Sequence, residues 1–362
     1  MPEESTRPAV FGRRSFVALV GLGLAACSRD GSSGGTLVPD SSAPSSTAAP
    51  VTGNLSVYSA LNESTNAKFF AAFAAAYPGV TVNLLSGSAG ALQTQLRAEA
   101  ATPLADVFIG GSSEFHDPLG AEGVLEPYRS AAAESIDPRF KDATGHWTGW
   151  YTGVFGIMTN RNRLAQEFDN RALPTWDDLL DPVWKQKIVL PDPLKTGGGS
   201  LFVMTQVFRF GRDEAKALEY LVALHANIAA YTASSSAALK MVVEGTAVAC
   251  PNWAHDILTE RAKPSAVDLA VPAQTGFEIG AVSIVKGTQN APASRALVDW
   301  SLSREAGELN VQVSNRSSVR SDVLPAPGAP QLSSVDLVDY DRVWATANRE
   351  RVLASWRAAV GR

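Results

Sequence analysis

Short apolar runs rich in β-branched residues alternate with longer segments of helical periodicity along most of the chain. The runs at 55–58, 80–85 and 105–109 are predicted strands, and the segments at 68–77 and 92–100 are predicted helices. Strands separated by helices need crossover connections, which join parallel neighbours. This order predicts an α/β protein with mostly parallel strands.

The alternation continues after a glycine- and aromatic-rich stretch at 147–160, which is predicted to be extended. Further strands are predicted at 188–190, 247–250, 267–271 and 281–285, and helices from 198, at 212–225 and at 236–244. The segments do not repeat one another in sequence, so the chain is not a tandem-repeat protein.

The N-terminus has the pattern of an export signal. Arg13 and Arg14 precede an apolar run over 16–26, which ends in small residues directly before Cys27. The run is too short to span a bilayer comfortably, so we predict a signal peptide with a lipobox over 1–27, and acylation of Cys27. An ordinary signal peptide with a chance cysteine is the alternative. The arginine pair leaves both twin-arginine and general export open.

Residues 28–53 consist mostly of Ser, Gly, Pro, Ala and Thr. A segment with so few large apolar residues cannot bury a core, so it is predicted to be a flexible tether. A tether behind an acylated cysteine fits a domain held at the outer face of the cytoplasmic membrane.

Composition narrows the class of protein. The chain has 362 residues, of which 45% are hydrophobic and 19% charged, which is enough apolar material for large cores. Its net charge is -5 and no long basic run occurs, which argues against nucleic-acid binding. Only two cysteines are present. If Cys27 is acylated, Cys250 has no disulfide partner, and the fold depends on its cores.

Four loops that follow predicted strands or precede predicted helices are rich in small hydrogen-bond donors. In open α/β sheets, ligands bind beyond the carboxyl ends of the strands, where helix N-termini attract anions. The candidate ligand-binding residues in these loops are Ser59, Asn62, Ser86, Gly87, Ser88, Ser112, Ser113, Thr196, Gly198, Gly199 and Ser200. The alternative is that they only form turns and cap helices. The loop at 196–200 lacks the lysine of a nucleotide P-loop and the spacing of a dinucleotide fingerprint, and no cofactor is expected.

Five sequence phrases occur in an order that resembles a known family. They are VYSA (57–60), ADVF (105–108), GVLEPY (123–128), WDDL (176–179) and LPDP (190–193). Their succession, within a resemblance that spans about 54–303, is similar to the substrate-binding proteins of ABC importers for ferric iron, 2-aminoethylphosphonate and hexose phosphates.

The resemblance implies an α/β periplasmic-binding-protein fold of the second type, with two lobes, two extended hinge crossings and a ligand cleft between the lobes. The first lobe is expected at 54–150 and 284–362, and the second lobe with the crossings at 151–283. The stretches at 151–159 and 276–283 are the expected crossings. The family resemblance further implies a hinge-closing monomer that delivers its ligand to the membrane subunits of an ABC importer.

His255 and Asp256 directly follow a predicted strand, and Glu278 lies in the predicted return crossing. Carboxylates accept hydrogen bonds and imidazole can donate them, so this set suits sugar hydroxyls. In the hexose-phosphate branch of the family, a His-Asp pair and a later Glu have this role, and the resemblance implies the same here. The alternative is that His255 and Asp256 only cap a helix.

We therefore expect an exported, lipid-anchored, non-enzymatic binding protein whose ligand is a small anion; a sugar phosphate or another organic phosphate or phosphonate fits best. A ferric-iron-binding member of the same family is the nearest alternative. It is disfavoured because the sequence has no Tyr-Tyr pair, and because Asn62 stands where the iron branch often has a histidine.

The sequence also leaves open an exported hydrolase and a scaffolding protein without a ligand. Cys250 lies before Pro251 at the end of an apolar strand, which is typical of a buried residue. No Gly-x-Ser-x-Gly motif occurs at a strand-to-helix turn, which disfavours the hydrolase.

Overall fold

The computed structural model of the chain describes residues 50–362. The predicted signal peptide, Cys27 and most of the predicted tether lie outside the described residues. Strand β1 begins at Gly53, and Val51 packs against the core beside it. Residues 51–53 of the predicted tether therefore belong to the folded part.

The described residues contain eleven strands and eleven α-helices. The strands are β1 (Gly53–Ser59), β2 (Val80–Ser86), β3 (Val107–Ser112), β4 (Leu125–Glu126), β5 (Thr148–Asn160), β6 (Ile188–Pro191), β7 (Ile228–Thr232), β8 (Ala249–Trp253), β9 (Val267–Ala270), β10 (Phe277–Val285) and β11 (Ser317–Ser318). The helices are α1 (Glu63–Ala76), α2 (Ala89–Ala98), α3 (Ser113–Ala121), α4 (Arg161–Glu167), α5 (Gly197–Arg209), α6 (Glu214–His225), α7 (Ser235–Val243), α8 (Ala254–Arg261), α9 (Ala291–Ser301), α10 (Arg304–Ser314) and α11 (Arg342–Ala359). None of these helices is long and apolar enough to cross a bilayer.

The main path of the sheet runs β2-β1-β3-β10-β5-β8-β6-β7. β1 pairs in parallel with β2 and β3, and β6 with β7 and β8, as the strand-helix alternation predicts. β5 and β10 are antiparallel to each other and to their other neighbours. The prediction of mostly parallel strands is wrong at this point, because the two long strands run between the lobes in opposite directions and each pairs on both sides.

Two large hydrophobic cores define the lobes. We call the elements around Leu55, Phe69 and Trp300 the first lobe, and those around Phe202 and Trp184 the second lobe. Strand β5 contributes its first half to the first core and its second half to the second core. The predicted extended stretch at 147–160 is therefore a crossing, and β10 pairs alongside it as the return.

Aromatic side chains fill the first core. The ring of Phe69 lies 4.8 Å from the ring of Trp150 and 4.8 Å from that of Trp300, centroid to centroid. A fully buried side chain of this size contributes roughly 1.5–3 kcal/mol of transfer free energy. Such close packing of large rings makes the first core dense and resistant to deformation.

The C-terminal part of the chain connects the two lobes a third time. Val319 packs in the first core and Val338 in the second, and the main chain of Thr275 bonds to Asp336 and Val338 at 3.0 Å each. Helix α11 then follows with its apolar face in the second core. The predicted division assigned all of 284–362 to the first lobe, whereas α11 packs mainly on the second. The other lobe boundaries stay a prediction.

Candidate functional site

A cavity of about 450 Å³ lies between the lobes, against the crossing strands β5 and β10. We call it the central cleft. The predicted ligand-binding residues that line it are Asn62, Gly87, Ser88, Ser112, Thr196, Gly198, Ser200, Asp256 and Glu278. They come from both lobes and from the return crossing, so residues far apart in sequence meet in one space.

Helix N-termini from both lobes face the central cleft. Ser88, Thr196 and Ser234 cap α2, α5 and α7, and each side-chain oxygen accepts the main-chain N–H three residues on, at 3.3, 3.0 and 3.1 Å. The N–H groups of the first two residues of each helix have no partner within the helix. Together with the helix dipoles they create a positive potential that suits an anionic group.

Four of the predicted residues hold the loops in place without lining the cleft. The buried Ser59 donates to Asn66 at 2.7 Å, and the Asn66 amide donates to Ser86 at 3.1 Å. Ser113 is buried as the first residue of α3. A side chain at Gly199 would place its Cβ 2.1 Å from the carbonyl oxygen of Pro191, so this glycine permits close packing of α5 on β6.

A cluster of ionisable side chains forms the hinge end of the cleft. His255 and Asp256 lie in the first turn of α8, with Nε2 and Oδ1 3.6 Å apart, and Glu278 lies on β10. His255 is 3% exposed and does not itself line the cavity, and no protein atom bonds to either ring nitrogen within the described residues. A Cβ at Gly153 would lie 2.9 Å from Glu278 Oε1 and 3.0 Å from His255 Nδ1. The glycine therefore leaves room for both side chains.

Arg316 completes this cluster and was not predicted from the sequence. It is 7% exposed, lines the cleft, and its guanidinium carbon lies 5.0 Å from the ring centroid of Tyr151. Within residues 50–362, its Nε and Nη1 atoms have no hydrogen-bond partner, and it makes no ion pair. Asn315, which ends α10 with a φ of 56°, turns the chain just before it. That asparagine, which is typical of a helix end, is the only local sequence feature that draws attention to Arg316.

Burial sets the protonation of the cluster. It lowers the pKa of His255 well below its ordinary value, with help from the positive charge of Arg316, and it raises the pKa of Asp256. Burial also raises the pKa of Glu278 to about 7, against the attraction of Arg316 and with repulsion from Asp256 and Glu114. Near neutral pH, His255 is therefore uncharged, Arg316 is charged, and Glu278 is partly protonated.

The cluster offers both kinds of hydrogen-bonding group to a ligand. Arg316 supplies donors, and the carboxyl groups of Asp256 and Glu278 supply acceptors. Hydroxyl groups donate and accept at once, so they match this mixture. The second lobe adds Ser235 and Ser236 to the cleft wall, and the crossing adds Tyr151. These two serines are not among the predicted ligand-binding residues, although they belong to a serine run directly before a predicted helix.

Within residues 50–362, no group of three or more His, Cys, Asp or Glu side chains is placed to hold an ion.

The chain belongs to the family of bacterial extracellular solute-binding proteins, whose family model matches residues 102–343. Proteins of this family bind small ligands for ABC importers, and the chain is such a solute-binding component. The predicted family is thereby confirmed.

Individual relatives differ in what they are named for. AfuA of Actinobacillus pleuropneumoniae, a periplasmic binding protein solved with exogenous fructose-6-phosphate bound, is 28% identical, with a TM-score of 0.80 over 85% of this chain and 99% of AfuA. A periplasmic protein of Salmonella paratyphi A, named as 2-aminoethylphosphonate-binding, is 27% identical over 254 residues, which are 68% of this chain and 72% of that protein. Iron-bound HitA of Pseudomonas aeruginosa has a TM-score of 0.75 over 86% of this chain and 99% of HitA. At 19% identity, its likeness concerns the fold alone. The predicted two-lobed fold is confirmed by these structures.

Proposed function

We propose that the central cleft captures a sugar phosphate, with the phosphate at the helix N-termini and the sugar hydroxyls at the hinge cluster. The observation that carries this proposal is Arg316, which lines the cleft, is buried near the carboxyl groups of Asp256 and Glu278, and has two guanidinium nitrogens that no protein group pairs within the described residues. Buried polar atoms are nearly always paired, so unpaired ones at a cleft indicate a ligand that pairs them.

A phosphonate such as 2-aminoethylphosphonate is the second candidate, because the Salmonella relative is named for it. Its phosphonate would suit the same helix N-termini, and its ammonium group would need acceptors such as Asp256 and Glu278. An ammonium group cannot accept hydrogen bonds from Arg316. The polyhydroxylated ligand therefore uses more of the cluster than the aminophosphonate does.

Neither iron capture nor hydrolysis fits the cleft as well. Hard ferric iron calls for several oxygen ligands around one point, whereas the hinge cluster contains a buried cation, Arg316. For hydrolysis, Cys250 is the only thiol within the described residues, and burial raises its pKa to about 12. It stays protonated and is a poor nucleophile at neutral pH.

Thermal shift with a ligand panel tests the proposal, because a ligand that binds only the folded state raises the melting temperature. The panel contains hexose 6-phosphates, the matching free hexoses, glycerol phosphate, 2-aminoethylphosphonate and ferric citrate. Stabilisation by hexose phosphates, and not by free hexoses, is expected. Stabilisation by ferric citrate alone, or turnover of the phosphate esters, would overturn the proposal.

His255 and Asp256 have a direct test in calorimetry. His255→Ala and Asp256→Ala are each expected to weaken hexose-phosphate binding by about tenfold or more. Asp256→Ala loses hydrogen bonds to a buried ligand, and His255→Ala removes the ring whose Nε2 lies 3.6 Å from Asp256 Oδ1. Circular dichroism should show that both variants fold. Unchanged affinity in both would remove these residues from the site.

The proposal extends to a lipid anchor on Cys27, which the small residues before it and the polar segment after it support. In the native host, Cys27→Ser should move the protein from the membrane fraction to the soluble fraction. Retention of the variant in the membrane fraction would exclude this anchor.

A further inference from the structure

A second and larger cavity, of about 1010 Å³, lies beside the central cleft on the side of α11. We call it the side chamber. Ser88, Phe115, Thr196 and Ser200 line both cavities, so the two spaces are neighbours that share part of their walls. The central cleft alone is within the range of ordinary small-ligand pockets. The chamber is therefore additional space that a single phosphorylated sugar does not need.

Basic side chains outnumber acidic ones in the wall of the side chamber. Five of them line it, against one lining carboxylate, Glu350; they are Arg97, Lys195, Arg349, Arg357 and Arg362. Arg97 is paired with Glu122 at 2.8 Å, and Lys195 and Arg362 share the buried Asp192. The five basic side chains outnumber the carboxylates in and beside the wall, which are Glu350, Glu122 and Asp192. The chamber therefore favours a negatively charged group.

Arg349 is the cation best placed for a ligand that enters from the cleft. Its guanidinium carbon lies 4.5 Å from the ring centroid of Phe115, the side chain that lines both cavities. Within residues 50–362, Arg349 has no carboxylate oxygen within 4.0 Å. A guanidinium that stacks on an aromatic ring keeps its N–H edge free for an anion.

One wall of the chamber, helix α11, is attached to both lobes. Helix α11 packs Leu353 and Trp356 into the second core, while Arg342 at its start bonds to Asp117 of the first lobe at 2.7 and 2.9 Å. The helix is thereby attached on both sides of the gap.

We infer that the side chamber receives a second anionic group, so that the substrate class is a sugar that carries a phosphate and a further phosphate or carboxylate. This inference rests on the proposed function of the central cleft. The inference adds that Arg349 contributes to affinity only for ligands that carry the second anionic group.

Titration calorimetry on the full chain can test the role of the side chamber separately from that of the central cleft. The probes are fructose-6-phosphate, fructose-1,6-bisphosphate and 6-phosphogluconate, and the variants are Arg349→Gln, Arg349→Lys and the control Arg351→Gln. Arg351 lies on the same helix but pairs with Glu214 at 2.7 Å and does not line the chamber. The bisphosphate and the phosphogluconate distinguish phosphate from carboxylate as the second group.

The wild type is expected to bind one of the two-anion probes about tenfold tighter than fructose-6-phosphate, as charge-assisted bonds to a guanidinium allow. Arg349→Gln should remove that advantage, while its affinity for fructose-6-phosphate stays within about twofold of the wild-type value. Arg349→Lys should retain part of the advantage, and Arg351→Gln should retain all of it. No advantage in the wild type, or an equal loss for all probes in Arg349→Gln, overturns the inference while the proposed function stands. No binding of any of these three probes also overturns the inference, and the thermal-shift panel of hexose phosphates then decides whether the proposed function stands.

Discussion

Arg316 is the residue whose environment is hardest to explain without a ligand. Its guanidinium is buried beside Tyr151, and two of its nitrogens have no partner within the described residues. Burying a charge without hydrogen bonds is costly, and folded proteins rarely do so for stability. The free energy that this arrangement costs in the empty protein can be regained when ligand oxygens accept from those nitrogens.

Replacing Arg316 with methionine tests that account. Arg316→Met keeps most of the side-chain volume, so we expect an unchanged or higher melting temperature without ligand, and affinity for a hexose phosphate lower by about tenfold or more. Differential scanning fluorimetry and calorimetry measure the two effects. Arg304→Met is the control, because Arg304 is exposed and pairs with Glu308 at 2.6 Å. If the variant loses stability and keeps its affinity, Arg316 is a structural residue.

Glu278 makes stability depend on pH. Its pKa is about 7 in the folded protein against an ordinary value of 4.5, because burial, Asp256 and Glu114 outweigh the attraction of Arg316. Between these two values the folded state holds a proton that the unfolded state has released. The contribution of this group to stability therefore falls as pH rises from about 4.5 to about 7, by roughly 3 kcal/mol at most.

Glu278→Gln removes this titration and keeps the shape. The melting temperature of the wild type, relative to the variant, should decline between pH 5 and pH 8, and urea unfolding should give the same trend. Asp256 stays in both proteins, so its own titration largely cancels. Parallel pH profiles for the two proteins would contradict the raised pKa.

The crossing strands depend on glycines at positions where side chains from neighbouring elements approach the main chain closely. A Cβ at Gly280 would lie 1.9 Å from Cζ of Tyr151, so the ring of that tyrosine occupies the space beside β10. Gly153, on β5, leaves the corresponding room for Glu278 and His255. The glycine-rich composition of the predicted crossings thus has a steric reason that depends on both strands.

Gly280→Ala should displace the Tyr151 ring and with it the neighbouring Arg316. We expect a loss of about 3 kcal/mol in urea unfolding, at the upper end of overpacking effects, together with weaker ligand binding. Gly90→Ala is the control for stability, because its Cβ would meet Phe115 at an ordinary 3.6 Å and α2 would gain a better helix former. A wild-type melting curve for Gly280→Ala would show that the ring moves freely.

Sequence patterns predicted many of the elements between 55 and 285, because these depend on local periodicity, but they did not predict α3, α4, α8, β4 or β7. They placed the start of the first helix at 68, whereas α1 begins at Glu63, where Asn62 caps it by accepting from the N–H of Thr65 at 2.9 Å. This dependence on local patterns also limits how much of the site can be predicted from the sequence. Loops after strands can be read from neighbouring residues, but Arg316 reaches the cleft through long-range packing that no local pattern encodes.

Within residues 50–362, three segments connect the two lobes, rather than the two predicted crossings alone. β5 and β10 form the paired strands of the hinge, and the segment before α11 runs beside Thr275. Helix α11 then carries Arg342 back to Asp117 of the first lobe, where the indole N–H of Trp147 also donates at 2.7 Å. The C-terminal segment therefore limits how far the lobes can separate.

Arg342→Gln should release this restraint. Loss of two charge-assisted hydrogen bonds at a partly buried carboxylate is expected to cost about 1–2 kcal/mol and to open the empty protein. Small-angle X-ray scattering should then give a larger radius of gyration for the variant without ligand, and nearly the wild-type value with saturating ligand. Since closure must start from a wider opening, affinity should fall by about two- to fivefold.

Arg351→Gln is the matched control for this experiment, because Arg351 lies on the same helix and joins it to Glu214 of the second lobe only. Its loss removes an ion pair of similar geometry without touching the link between the lobes. The radius of gyration should therefore stay at the wild-type value with and without ligand. Equal scattering from Arg342→Gln and Arg351→Gln would mean that β5 and β10 alone set the opening, and that α11 follows the second lobe passively.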